Sequence, residues 1–188
     1  PHMISRLPVV HHSEVNREKT LPEAFQEAGF ESAWLTNKSR ANYLERVLES
    51  MDRRFETGKD MSVTNNYDEH LLMPLQNVLS SGAHQQFIVV HTMGSHWKYD
   101  TRYPASFEQF TPSLGQSFSL SMIQPSSKQK LVNAYDNTIL YTDYFLDSLL
   151  TIVDAQDIPA VVIYMSDYGE NLYDDERELI LHGNYSAS

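Results

Sequence analysis

Phe87-Ile88-Val89-Val90-His91 and Ala160-Val161-Val162-Ile163-Tyr164 are two short apolar runs with β-branched centres. Neither alternates with polar residues, so each reads as a strand covered on both faces, as in a parallel sheet. Between them, Lys128 to Asp154 carries Leu131, Tyr135, Ile139, Leu146, Leu149 and Val153 at helical spacing, which predicts a helix about 40 Å long. Upstream, Leu21-Pro22-Glu23 opens a helix with Thr20 as its N-cap, running to Ala28 and stopped by Gly29. Ser32 to Thr36 reads as another strand, and Ser39–Met51 and Tyr67–Leu79 as amphipathic helices. The stretch from Gly94 to Pro125 is rich in Pro, Ser, Thr and aromatics without sustained periodicity, and reads as a long functional loop. Strands alternating with helices predict an α/β fold, a three-layer α/β/α sandwich around a mostly parallel sheet.

Composition narrows the function. The 188 residues contain no cysteine, which excludes a disulfide framework and thiolate chemistry while leaving either redox compartment open. A net charge of −11 opposes phosphate-backbone binding, so nucleic acid is set aside as a partner. From Asp143 to Ser188 ten Asp/Glu face one basic residue, Arg177, so this last quarter carries −9. A metal cation would neutralise it, and a solvated acidic face would look the same. No run approaches the ~20 apolar residues of a membrane span, and no signal peptide opens the chain. Pro1-His2-Met3 resembles the residue of a cloning junction, so residues 4–188 are read as the domain, excised from something longer.

In doubly wound sheets ligands collect at the carboxyl ends of the strands. His91 and His96 follow one strand, Ser166-Asp167-Tyr168-Gly169-Glu170 follows the last, and His182-Gly183 lies about a dozen residues beyond. Imidazole and carboxylate together suit Zn²⁺ or Mn²⁺. Each residue alone has a plainer reading: a hydrogen-bonded structural histidine, or an Asp-x-Gly turn. Glu170 suits orienting a ligand, bonding a substrate amine or capping that turn. In the long loop, Trp97, Tyr99, Tyr103, Phe107 and Phe110 with Lys98 and Arg102 suit a surface that meets lipid headgroups. The alternative is that Tyr103, Phe107 and Phe110 pack the loop down, and packing is the default for Tyr135, Tyr141 and Tyr144.

Five ordered motifs carry a resemblance. Val89-Val90-His91-Thr92-Met93-Gly94-Ser95-His96, Arg102-Tyr103-Pro104, Ala134-Tyr135-Asp136-Asn137-Thr138 through Tyr144, Tyr164-Met165-Ser166-Asp167-Tyr168-Gly169-Glu170-Asn171-Leu172 and Leu181-His182-Gly183 resemble the successive motifs of the membrane-bound phosphoethanolamine transferases, of the sulfatase and alkaline phosphatase superfamily. The resemblance implies an alkaline phosphatase-like sandwich, incomplete at both ends here, forming the periplasmic domain of an inner-membrane protein. It implies that a metal-bound threonine attacks phosphatidylethanolamine, the donor, and that phosphoethanolamine passes to a lipid A, lipopolysaccharide core or other glycan acceptor. By position, Asp167 matches a zinc ligand, and His91, His96 and His182 match histidines that bind a second metal or the transferred phosphate. The metal set is therefore expected to include Asp167 and His182 with Tyr168 beside them, the catalytic set His91, His96, His182 and Glu170, and the substrate-binding set Lys98, Arg102 and Tyr103.

Three departures shape the expectations. Position 168 is tyrosine where the family has histidine, and a phenol must lose its proton to bind zinc strongly. The family's first strand, with its glutamate ligand, and its threonine nucleophile have no counterpart in these residues. Hence these 188 residues are expected to bind zinc weakly or not at all and to be inactive alone, with the membrane reached through an N-terminal segment missing here. A sheet edge left unpaired invites a homodimer. The rival readings are a phosphoglycerol transferase or other enzyme of the superfamily, and a metal-free pseudoenzyme that serves as a binding domain.

Overall fold

The computed structural model describes residues 19–38, 45–57, 66–115, 124–174 and 180–181. The chain divides into two compact units, Pro1–Met93 with Leu149–Pro159, and Gly94–Ser148 with Ala160–Ser188.

The first unit is built on three parallel strands. Helix α1 (Leu21–Glu27) starts where the sequence predicts: Thr20 Oγ1 accepts from Glu23 N while Glu23 Oε2 accepts from Thr20 N, a reciprocal cap. It ends before Gly29, whose φ of +90° favours glycine. β1 (Glu31–Thr36), α2 (Glu45–Ser50), β2 (Arg53–Glu56), a 3₁₀ turn (Asp68–Leu71) leading into α3 (Leu72–Leu79), and β3 (Gln86–His91) follow in order. The strands lie in the order β2-β1-β3, so β1 is central. The pairing runs from Glu31↔Gln86 to Thr36↔His91 on one side and from Ala33↔Arg53 to Thr36↔Glu56 on the other. Chain order 2-1-3 with right-handed crossovers sends the two connections over opposite faces and makes the carboxyl end of β1 a topological switch point.

On the face shared by Trp34 and Val89, α2 buries Val47 and Leu48, with Met51 just beyond it, and Phe25 of α1 stacks on Phe87 at 4.3 Å between ring centroids. β2 went unanticipated because Arg53-Arg54-Phe55-Glu56 has neither a core run nor apolar alternation. Among the described residues it is the outer, exposed strand of the sheet, and charge is how such edges resist further pairing. The expected helix over 39–51 is observed from 45 to 50, and residues 39–44 lie outside the described set.

In the second unit the stretch from 94 to 115 contains only short 3₁₀ turns, Tyr99–Thr101 and Ala105–Phe107. A third turn, Pro125–Ser127, leads into α4 (Lys128–Asp154), whose residues from Leu149 onward belong to the first unit, and β4 (Asn171–Leu172) pairs antiparallel with β5 (Ile180–Leu181). The helix matches its predicted span, but its inward face is turned by about one residue: Leu131, Ala134, Thr138, Tyr141, Phe145 and Leu149 are buried, whereas Ile139 is exposed. Small and polar residues turn inward because the loop is held there by Asn137 and Thr138. The core of this unit gathers Tyr99, Leu114, Leu131, Ala134 and Leu172, flanked by Trp97 and Tyr135.

One strand expectation is corrected. Ala160–Tyr164 forms no strand, and Val161 is 88% exposed. Among the described residues no strand pairs with it, and an apolar run becomes a strand only when a neighbour takes its backbone groups. No helix among the described residues is long and apolar enough to cross a membrane.

Candidate active site

At the carboxyl edge of the first unit's sheet, β1 ends in Thr36-Asn37 and β3 in His91. Thr36 Oγ1 lies 3.0 Å from His91 Nδ1, and the Trp34 ring meets the imidazole edge to face at 5.6 Å between centroids. Lys38 N donates to the same Thr36 oxygen at 3.1 Å. The neighbouring Asn37 is buried: its Nδ2 donates to Asp68 Oδ1 and to the Asn66 carbonyl, and its Oδ1 accepts from Thr57 Oγ1. Asp68 Oδ1 also accepts from Met93 N at 2.8 Å. The chain leaving β3 is thus tied to the switch point by buried polar groups, which are worth most when fully partnered. Of this cluster only His91 is a predicted site residue. The missed signal was Trp34-Leu35-Thr36-Asn37, a strand whose last residues turn polar where ligands collect.

The second unit positions the other candidates. Arg102 Nε donates to the His96 carbonyl at 2.8 Å and its Nη2 to the Trp97 carbonyl at 2.9 Å, so the guanidinium fork clamps the loop backbone. His96 Nδ1 donates to the Trp97 carbonyl at 2.5 Å. Lys98 Nζ lies 3.8 Å from Asp100 Oδ2, and burial raises the Asp100 pKa above the ordinary carboxylate range against the pull of Lys98. Tyr103 is buried with its hydroxyl accepting from Asn137 Nδ2 at 3.3 Å. Asn137 also donates to the Phe110 carbonyl and accepts from Gln109 N and Phe110 N, pinning the loop to α4. Thr138 shares a hydrogen bond with Ser95 Oγ at 2.6 Å.

Aromatic positions read as lipid-facing divide. Tyr99 is fully buried, Phe107 packs against Tyr141 and Tyr144, and Phe110 is exposed. Burial first, and the nearby Glu170 carboxylate second, raise the Tyr99 phenol well above its usual pKa, and the same two causes raise Tyr135. Glu170 therefore sits against an aromatic group that stays neutral. Asp167 is exposed and Tyr168 half-buried, within a turn closed by Ser166 Oγ donating to the Tyr168 carbonyl. His182 lies outside the described residues.

A tetrahedral zinc site takes three or four nitrogen or oxygen donors. Among the described residues no group of three His, Asp or Glu side chains is gathered to hold a metal. Asp167 and Tyr168 would supply oxygen donors and no nitrogen, so the described residues do not make up a zinc set by themselves.

A parallel α/β sheet with polar groups at its carboxyl edge, and a histidine-bearing loop clamped to a long helix, match a known class: the chain belongs to the sulfatase family, whose pattern spans residues 2–187. Within it, the chain is 32% identical to the phosphoethanolamine transferase EptA of Salmonella typhimurium, over 97% of this chain and 34% of that protein. It is 36% identical to the Kdo(2)-lipid A phosphoethanolamine 7''-transferase of Escherichia coli over 53% of this chain and 16% of the relative. Among solved structures, the C-terminal periplasmic domain of EcEptC from Escherichia coli, in complex with Zn, superposes with a TM-score of 0.76 at 27% identity, covering 88% of this chain and 47% of that one. The chain thus spans about a third or less of the length of these curated relatives.

Proposed function

We propose that the protein to which these residues belong transfers phosphoethanolamine from phosphatidylethanolamine to a lipid A, lipopolysaccharide core or other glycan acceptor, in the periplasm and anchored to the inner membrane. The observation that carries this is the family match along residues 2–187 joined to relatives named as phosphoethanolamine transferases, one of them for Kdo(2)-lipid A. In this reading His91, His96 and His182 would hold a second metal or the transferred phosphoryl group, whose equatorial oxygens gain from N–H and cationic partners. Lys98, Arg102 and Tyr103 belong to the loop that meets the substrate, Arg102 by keeping the loop backbone in shape, and Glu170 faces the amine. Zinc would draw on Asp167 and His182 with donors beyond the described residues, and when bound it lowers the pKa of a hydroxyl nucleophile and offsets phosphate charge. These 188 residues alone are expected to be inactive, and a homodimer of them is a further expectation.

Tyr168, where the family pattern has histidine, favours a second reading: a domain that kept the fold, lost the metal and serves in binding. One experiment separates the two. In the whole protein, mass spectrometry of modified lipid A and elemental analysis are compared for the native enzyme, Asp167→Ala and Tyr168→His. The transferase reading expects transfer with bound zinc, about 100-fold or greater loss in Asp167→Ala, and zinc binding unchanged or tighter in Tyr168→His. A whole protein that folds but neither transfers nor binds zinc establishes the binding domain instead.

A further inference from the structure

The two described histidines of the site are held by chemically opposite partners. His96 Nδ1 meets a backbone carbonyl, that of Trp97, which only accepts hydrogen bonds. Nδ1 of His96 therefore carries a proton, and in the neutral ring Nε2 carries the lone pair. His91 Nδ1 meets the hydroxyl of Thr36 at 3.0 Å, and a hydroxyl both donates and accepts. Two facts decide the direction. Thr36 Oγ1 already accepts from Lys38 N at 3.1 Å, and among the described residues His91 Nδ1 is the acceptor within reach of its proton. Thr36 is 4% exposed, so solvent is a poor substitute. Turning the proton away from His91 would leave a buried donor unmatched.

We propose that Thr36 is a positioning residue, whose hydroxyl donates to His91 Nδ1 and thereby holds neutral His91 with its proton on Nε2, the reverse of His96. The register supports this, since Thr36 and His91 are paired residues of adjacent parallel strands and their side chains emerge on one face. The edge-to-face contact with Trp34 fixes the plane of the imidazole, so the two nitrogens do not exchange places freely. In the neutral rings this makes Nε2 of His91 a hydrogen-bond donor and Nε2 of His96 an acceptor. Any use of that difference in catalysis rests on the transferase reading, while the tautomer itself is measurable without it.

The test is nitrogen-15 NMR of the histidine-labelled chain at a pH above the imidazole titrations, where pyrrole-type and pyridine-type nitrogens are resolved. With eight histidines in the chain, His91→Gln and His96→Gln assign the signals. Expected are Nε2–H for His91 by about tenfold over the other tautomer, and Nδ1–H for His96. Thr36→Val should bring the His91 ratio close to unity, Thr36→Ser should restore it, and neither should move His96. Neutral His91 with its proton on Nδ1 in the native chain, or a ratio unmoved by Thr36→Val with backbone amides of β1 and β3 in place, overturns the proposal. If Thr36→Val does not fold, the native spectrum decides alone, since Nδ1–H on His91 refutes the proposal and Nε2–H upholds it. Absence of transferase activity in the whole protein would leave this readout untouched.

Discussion

Phe87–His91 and Ala160–Tyr164 are nearly the same stretch of chemistry with different outcomes. The first forms most of β3, in register with β1 along its whole length. The second forms no strand, and its Ile163 is 74% exposed. Intrinsic preference cannot separate them, because both hold a Val-Val pair and an isoleucine. The difference is the neighbour: β1 takes the backbone groups of β3, and Trp34, Val47 and Leu48 gather around Val89. A β-branched run records how well a segment would fit a pleated, partnered surface, not that it has one. An uncharged run without proline, left open, is also a template for another strand.

The largest expected effect tests that contrast directly. Val89→Asp places a charge against the Trp34 cluster and should cost about 3 kcal/mol or more. Ile163→Lys, at an exposed position, should stay within about 0.5 kcal/mol of the native chain. Urea denaturation of both variants reads the two values, and a comparable loss in each would mean that 160–164 is covered in solution after all.

A smaller effect probes what orders the second unit in place of a ladder. Asn137 satisfies Gln109, Phe110 and Tyr103 from within α4, so Asn137→Ala removes the partner of four buried or part-buried groups and should cost about 2 kcal/mol. Hydrogen exchange should quicken at the amides of Gln109 and Phe110 while protection across β1 and β3 stays as it was. Loss spread evenly over the chain would show that the loop is not an independently held element.

These contrasts also mark what could be read from the chain. The Thr20 N-cap, β1, β3 and the span of α4 were legible because each depends on local pattern: a capping residue before a proline-led helix start, a short apolar run, a helical repeat. The face of α4 was not, since Asn137 and Thr138 look like surface residues until the loop they hold is known. β2 was hidden because Arg53-Arg54-Phe55-Glu56 is mostly charged and carries no apolar face. Of the site, motif order pointed to His91 and His96, yet nothing local distinguishes their tautomers. That information lies in Thr36 and the Trp97 carbonyl, one on a different strand and the other made visible only by the folded loop.

The smallest effect concerns the strand whose presence makes β3 a strand. Asp52 Oδ2 accepts from Ser32 N at 2.8 Å and Ser32 Oγ at 2.7 Å, fastening the start of β1 to the turn before β2. Those two bonds, the backbone one foremost, lower the Asp52 pKa below its usual value against a weaker opposing effect of burial. A carboxyl whose folded pKa lies below its unfolded value of about 3.9 stabilises the fold above that pH, and the contribution fades as pH falls through the folded pKa. Because Asp52 is exposed, solvent screening limits the gain to less than about 1 kcal/mol. Asp52→Asn should therefore be slightly less stable than the native chain at pH 7, with the gap narrowing below about pH 4 as the native carboxylate takes up its proton. Taking the difference between the two proteins at each pH cancels the titration of groups they share. A gap that stays constant down to pH 2 would show that the hydrogen bonds, and not the charge on Asp52, hold β1 in place beside β3.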